Sequence, residues 1–161
     1  MTLSTGNGLS AYVRIGQQIQ ESAATVDLVV VDNKDSPGSQ QNLQRLLDGE
    51  VDFAMVQLDV ASEAMKAGDV AAVAILTEEY AHIVGRKNQN VNTLRDLEGK
   101  KVSIGPPASG INFTATRLFD STNLTIQPYT QSGLTMGLQN FIAPNSPLDG
   151  LVSVSYTHLA G

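Results

Sequence analysis

Short apolar runs alternate with amphipathic stretches along most of the chain, and the amphipathic stretches are entered through loops of Gly, Ser, Pro and Thr. That rhythm is the strongest constraint on the fold, because strands alternating with helices pack as βα units on a mainly parallel sheet. Residues 9–21 carry Leu9, Tyr12, Val13, Gly16 and Ile19 at helical spacing behind a glycine-spaced loop, and a first strand ends just before that loop. Residues 27–31 form an apolar, β-branched run that predicts a second strand. Ser39 is placed to N-cap the next helix, whose Leu43, Leu46 and Leu47 form one stripe before Asp48-Gly49 stops it. A third unit follows, with a buried strand at 51–56 and an Ala-rich helix at 60–67 closed by Gly68. Residues 70–76 and 81–84 are further strand candidates, and 93–97 predicts a short helix ended by Gly99. A fourth unit has a strand at 101–105, a small-residue loop at 106–110 and an amphipathic helix at 111–120. Residues 126–129 and 134–141 then read as strand and helix, and an irregular break at Pro144-Asn145-Ser146-Pro147 precedes an apolar run at 148–154. The fold class is α/β.

Composition narrows the functions open to such a fold. Ten Lys and Arg stand against 16 Asp and Glu, a net charge of −6 with no basic cluster, so nucleic acid and anionic membranes are poor partners. The chain has no Cys and only two His, His82 and His158, which removes disulfides, thiol nucleophiles and most zinc geometries. No metal or cofactor is implied. His82 lies inside an apolar run and reads as a buried, hydrogen-bonded histidine. Glu78-Glu79 reads as a solvated turn, and no Ser, His and acid order suggests a nucleophilic triad.

The informative constellation is three loops of one kind, each preceding a predicted helix: Ser4-Thr5-Gly6-Asn7-Gly8, Ser36-Pro37-Gly38-Ser39 and Gly105-Pro106-Pro107-Ala108-Ser109-Gly110. Free N–H groups and the positive end of the helix dipole make such starts attractive to a carboxylate or phosphate. The same residues also serve as plain turns and N-caps. None is a P-loop, since no Gly-Lys-Ser or Gly-Lys-Thr ends them, and Gly6-Asn7-Gly8 lacks the third Gly of a dinucleotide fingerprint. Gln57 emerges from the apolar strand at 51–56, where its amide serves either a ligand or its own loop. Tyr12, near the start of the first helix, is either a ring that covers a ligand or a core aromatic.

The chain resembles the extracytoplasmic solute receptors of tripartite (TRAP) transporters, specifically the TAXI branch. The resemblance is carried by ordered blocks: the opening Ser4-Thr5-Gly6-Asn7-Gly8 with Tyr12 and Gly16, then Gly38-Ser39 with Asn42-Leu43 and Leu46-Leu47. Gly49-Glu50-Val51-Asp52-Phe53-Ala54 with Val56-Gln57 and Asp59-Val60 follows, then His82-Ile83-Val84, Leu94 with Asp96-Leu97, Gly99-Lys100-Lys101-Val102, and Gly105-Pro106-Pro107 with Ser109-Gly110. It covers about residues 3–120. It implies a type II periplasmic-binding-protein-like fold of two lobes. A small anionic solute, an organic acid or an amino acid such as glutamate, is captured between them by hinge closure and delivered to TRAP permease membrane subunits.

Carried over by position, Thr5, Gly6, Asn7, Tyr12 and Gln57 form one wall of the cleft, and Ser109, Gly110 and Asn112 form the other. The resemblance implies a periplasmic binding protein, not an enzyme, without a cofactor and with no nucleic-acid partner. A first lobe is expected at 1–86, a partial second lobe at 87–154, and a non-native tail at 155–161. The opening residues lack a signal peptide, and the chain is expected to be a fragment of such a receptor. The rival reading is a cytosolic effector-binding domain of a transcription regulator with the same two-lobed fold; an enzyme on this fold is the third.

Overall fold

Three parallel strands meeting three helix starts make up the first part of the molecule. The computed structural model describes residues 1–8, 10–26, 32–130 and 134–155. They divide into two units: Met1–Val73 with Ala108–Gly110, and Ala74–Pro107 with Ile111–Gly161.

In the first unit, β1 (Thr2–Ser4) lies between β2 (Asp32–Lys34) and β3 (Phe53–Ala54), both parallel to it, with Thr2 opposite Asp32 and Leu3 opposite Phe53. The helices are α1 (Ala11–Ala24), α2 (Ser39–Leu47) and α3 (Leu58–Ala67). Ser10 caps α1 by accepting the Val13 N–H, and Gly68, with a left-handed φ of 83°, closes α3. Tyr12, Ile15, Ile19 and Ala23 of α1 pack on Leu3 and Met55. These four positions follow the helical period, so one face of α1 covers the sheet.

In the second unit the sheet order is β4 (Tyr80–Gly85), β7 (Gly150–Ser155), β5 (Lys101–Ser103), β6 (Gln127–Tyr129). β5 runs parallel to β6 and β7, whereas β4 runs antiparallel to β7. Leu97, Val102, Ile104, Val152 and the Ala115 and Phe119 face of α4 (Gly110–Ser121) form its main core. Phe141 of α5 (Leu134–Ile142) joins Leu148 and Leu151 in a second cluster. Arg86, just after β4, donates from Nε to the Leu148 carbonyl at 2.9 Å and from Nη2 to the carbonyls of Phe141 and Ala143, with its guanidinium over the Phe141 ring. It therefore satisfies carbonyls at the end of α5 that the helix leaves unpaired. A short 3-10 turn at Leu94–Leu97 is held by a capping box between Thr93 and Asp96.

The α/β reading holds, with sheets that are mostly parallel, and several local expectations are corrected. The second strand expected at 27–31 lies outside the described residues, and β2 begins at Asp32. The strand at 51–56 shrinks to Phe53–Ala54, because it pairs only with the short β1. No strand forms at 70–76: residues 71–78 are all exposed, Ile75 to 90%. Apolar β-branched composition makes a strand only where a neighbour completes its ladder. Gly38, not Ser39, is the N-cap of α2, and the leucine stripe is not its buried face: Leu47 is exposed, whereas Ser39 and Asn42 are buried. His82 is half-buried in β4, opposite Ser153, rather than enclosed.

Candidate functional site

The starts of α1, α2 and α3 lie just beyond the C-terminal ends of β1, β2 and β3, the position at which parallel α/β sheets collect ligands. Thr5 is fully buried there, and its N–H donates to the Lys34 carbonyl at 3.1 Å. Gly6 follows with no room for a side chain, since a Cβ would fall 2.4 Å from the Ser10 hydroxyl. Ser36 ties the second loop to the first, its N–H on the Gly6 carbonyl at 3.3 Å and its Oγ on the Thr5 carbonyl at 3.1 Å. Asn7 is exposed, its carbonyl accepting the Ser10 N–H.

Gln57 is the N-cap of α3, yet its side chain makes no capping bond. Its N–H donates to Ser39 Oγ at 3.1 Å, and the Tyr12 hydroxyl lies 3.3 Å from the same Oγ. Tyr12 is therefore both core and site: its ring belongs to the Leu3 and Met55 cluster while its hydroxyl reaches Ser39. Among the described residues, Gln57 Oε1 is buried with no hydrogen-bond donor. Orphaned buried acceptors are uncommon and costly.

The segment Ala108–Gly110 closes over this group. The Ala108 carbonyl accepts the Gln41 N–H at 3.3 Å, and the Ser109 carbonyl accepts Gln40 Nε2 at 2.8 Å. An amide at the start of α2 thus draws in a backbone carbonyl, the neutral counterpart of the anion expected at such a place. Ala108 has a left-handed φ of 65°, a conformation that costs an alanine about 1–2 kcal/mol. Ser109 is buried, and Gly110 lies so close to Gln57 that a Cβ on it would fall 1.4 Å from Oε1.

Of the residues expected at the site, Thr5, Gly6, Tyr12, Gln57, Ser109 and Gly110 come together in the first unit, with Asn7 at its exposed edge. Asn112 belongs to the second unit, where its Nδ2 donates to the Gly105 carbonyl at 3.4 Å. Gln40 and Asn42 were not among the residues expected at the site, and Ser39 entered only as part of its helix-start loop. Their signal was the spacing of Ser39, Asn42 and Arg45, three apart on one helical face. The groups gathered here are hydroxyls, amides and backbone, suited to orienting a polar ligand. Among the described residues no three His, Cys, Asp or Glu are grouped to hold a metal, and no helix is long and apolar enough to cross a membrane.

Solved structures of similar fold include binding proteins and a regulatory domain. The alkanesulfonate-binding protein SsuA of Xanthomonas axonopodis pv. citri, bound to MOPS, is 16% identical with a TM-score of 0.58, over 94% of this chain and 53% of its own. A periplasmic binding protein of an ABC transporter from Brucella ovis, with glutathione bound, is 15% identical with a TM-score of 0.56, over 96% and 51%. The CcmR regulatory domain of Synechocystis PCC6803, in complex with 2-PG, is 13% identical with a TM-score of 0.57, over 100% and 74%. The chain thus has the periplasmic-binding-protein fold and spans about half the length of the binding proteins it matches. The strand-end loops, α2 and the whole of the second unit up to the end of α5 fall within residues 3–143, which match the NMT1-like family, and the chain belongs to that family.

Proposed function

We propose that the chain is the binding part of an extracytoplasmic solute receptor of the TAXI type, which presents a small carboxylate to TRAP permease subunits. The ligand is a glutamate-like amino acid or a dicarboxylate, bound without catalysis. Thr5, Gly6, Asn7, Tyr12 and Gln57 are proposed to hold it, with Ser109, Gly110 and Asn112. The observation that carries the reading is Gln57: its Oε1 is a buried acceptor lacking a donor at the meeting point of three helix starts. A ligand ammonium or hydroxyl supplies that donor, and helix N–H groups beside it suit a carboxylate. Ligand entry then requires Gly110 to move off Gln57, since the two leave no space between them.

The test is a thermal-shift and calorimetry screen on the protein encoded by the entire reading frame containing these residues. L-glutamate or succinate should raise the midpoint, and ligand at 100 times Kd should add about 2.7 kcal/mol of stability. Gln57→Ala should weaken binding by about 1–3 kcal/mol with little change in fold stability. A screen in which only sugars or cations act removes the carboxylate reading. The likeness to the CcmR regulatory domain supports a second reading, an effector-binding domain of a transcription regulator. A helix-turn-helix encoded upstream would favour it, and a leader sequence beside permease genes would favour transport.

A further inference from the structure

The buried face of α2 is polar. Ser39 and Asn42 are buried, Arg45 is half-buried one turn further on, and the spacing of three sets them on one side of the helix. Asn42 is fully enclosed. Its Nδ2 donates to the Thr5 carbonyl and, at 2.7 Å, to the Met55 carbonyl, while its Oδ1 accepts the Ser4 hydroxyl at 2.6 Å. The ladder between β1 and β3 runs out with the Met55 N–H on the Ser4 carbonyl at 2.9 Å. Beyond that rung a single side-chain amide replaces the backbone and clamps the two chain segments one residue before Gly6 and two before Gln57.

We infer that Asn42 is a positioning residue for the solute site: bridging the Thr5 and Met55 carbonyls, it sets the spacing between the Thr5-Gly6 loop and Gln57 without touching ligand. The inference rests on reading those loops as the binding site. It gives a reason for an asparagine rather than a leucine on this face, because only an amide offers two donors and an acceptor from one planar group. Ser4 supplies an internal control. Its hydroxyl receives Arg45 Nη1 at 3.0 Å and donates to Asn42, so its loss removes a buried bond but leaves the clamp intact.

The experiment is amide hydrogen exchange on the 161-residue chain for wild type, Asn42→Ala, Asn42→Ser and Ser4→Ala, with the serine variant included in case the alanine variant does not fold. In Asn42→Ser, exchange at Met55 and Gln57 should accelerate about tenfold or more relative to Gly68 and Asp69 at the far end of α3. Ser4→Ala should change these amides together, through overall stability alone. Uniform acceleration in Asn42→Ser, or none, overturns the inference and returns Asn42 to a purely structural role. L-glutamate titrations of the same substitutions in the entire receptor should show a loss of affinity of about tenfold in Asn42→Ser and less than about twofold in Ser4→Ala. Local loosening with no glutamate or succinate binding in wild type would refute the carboxylate function while leaving the clamp in place.

Discussion

The two units solve the same packing problem with different materials. Among the described residues, the second buries Leu97, Val102, Ile104, Ala115, Phe119 and Val152 in one apolar cluster. The first has a smaller apolar cluster of Leu3 and Met55, with Val51, Val60 and Ala61 also buried, and beside them Ser4, Thr5, Ser36, Ser39 and Asn42 are buried, each in a hydrogen bond to another part of the unit. Apolar burial is non-directional and tolerates small shifts, whereas buried polar groups are held at set distances or become costly. On the proposed reading, in which Thr5, Tyr12 and Gln57 hold a ligand, the second kind of interior keeps them at set distances.

The largest effect that would sharpen this contrast is Phe119→Ala, which should cost the second unit about 3–5 kcal/mol in chemical denaturation. A cost below about 1 kcal/mol would show that its apolar cluster is not what holds it. Next, Asn42→Leu should destabilise the first unit by about 1–3 kcal/mol, because it takes the Asn42 donor from the Met55 carbonyl and leaves the Thr5 carbonyl with the Ser36 hydroxyl alone. Were that interior governed by apolar burial, the same change would be neutral or stabilising, and the contrast would fail. Gly110→Ala should cost about 1 kcal/mol and displace the Gln57 side chain, visible as a shift of its side-chain amide resonances. Unmoved resonances would mean that the close approach does not persist in solution.

The smallest effect is on the acid side. The Thr2 N–H, then its hydroxyl, holds the Asp52 carboxyl below its usual range in the first unit. In the second, the N–H groups of Asn92 and Thr93 and then the Thr93 hydroxyl do the same for Asp96. As pH falls through about 4 the unfolded carboxyls protonate first, so the unfolded state binds more protons and stability declines until the folded groups protonate as well. Asp52→Asn should flatten that decline at first-unit amides and Asp96→Asn at second-unit amides, read by hydrogen exchange below about pH 5. Equal flattening in both units would merge them into one cooperative body.

The alternation of elements was legible because each apolar run and each helix face carries its own period, independent of what it packs on. Partners are not written that locally. Residues 70–76 have the composition of a strand and no ladder to join, whereas Phe53–Ala54 is a strand with little to mark its short length. On α2, hydropathy rewarded Leu43, Leu46 and Leu47, but the strand ends beneath the helix presented carbonyls, and carbonyls need donors. Gln57 could be found from sequence because it follows an apolar run. Asn42 could not, since its meaning lies in two carbonyls 37 and 13 residues away.

Arg86 bears on how this chain can change length. The connection from α5 to β7, with Pro144 and Pro147, has the look of a loop open to insertion and deletion. Yet one guanidinium holds the Phe141 and Ala143 carbonyls at its start and the Leu148 carbonyl at its end. Adding or removing a residue between them would pull one anchor out of reach, so this connection should vary in residue type while keeping its number of residues.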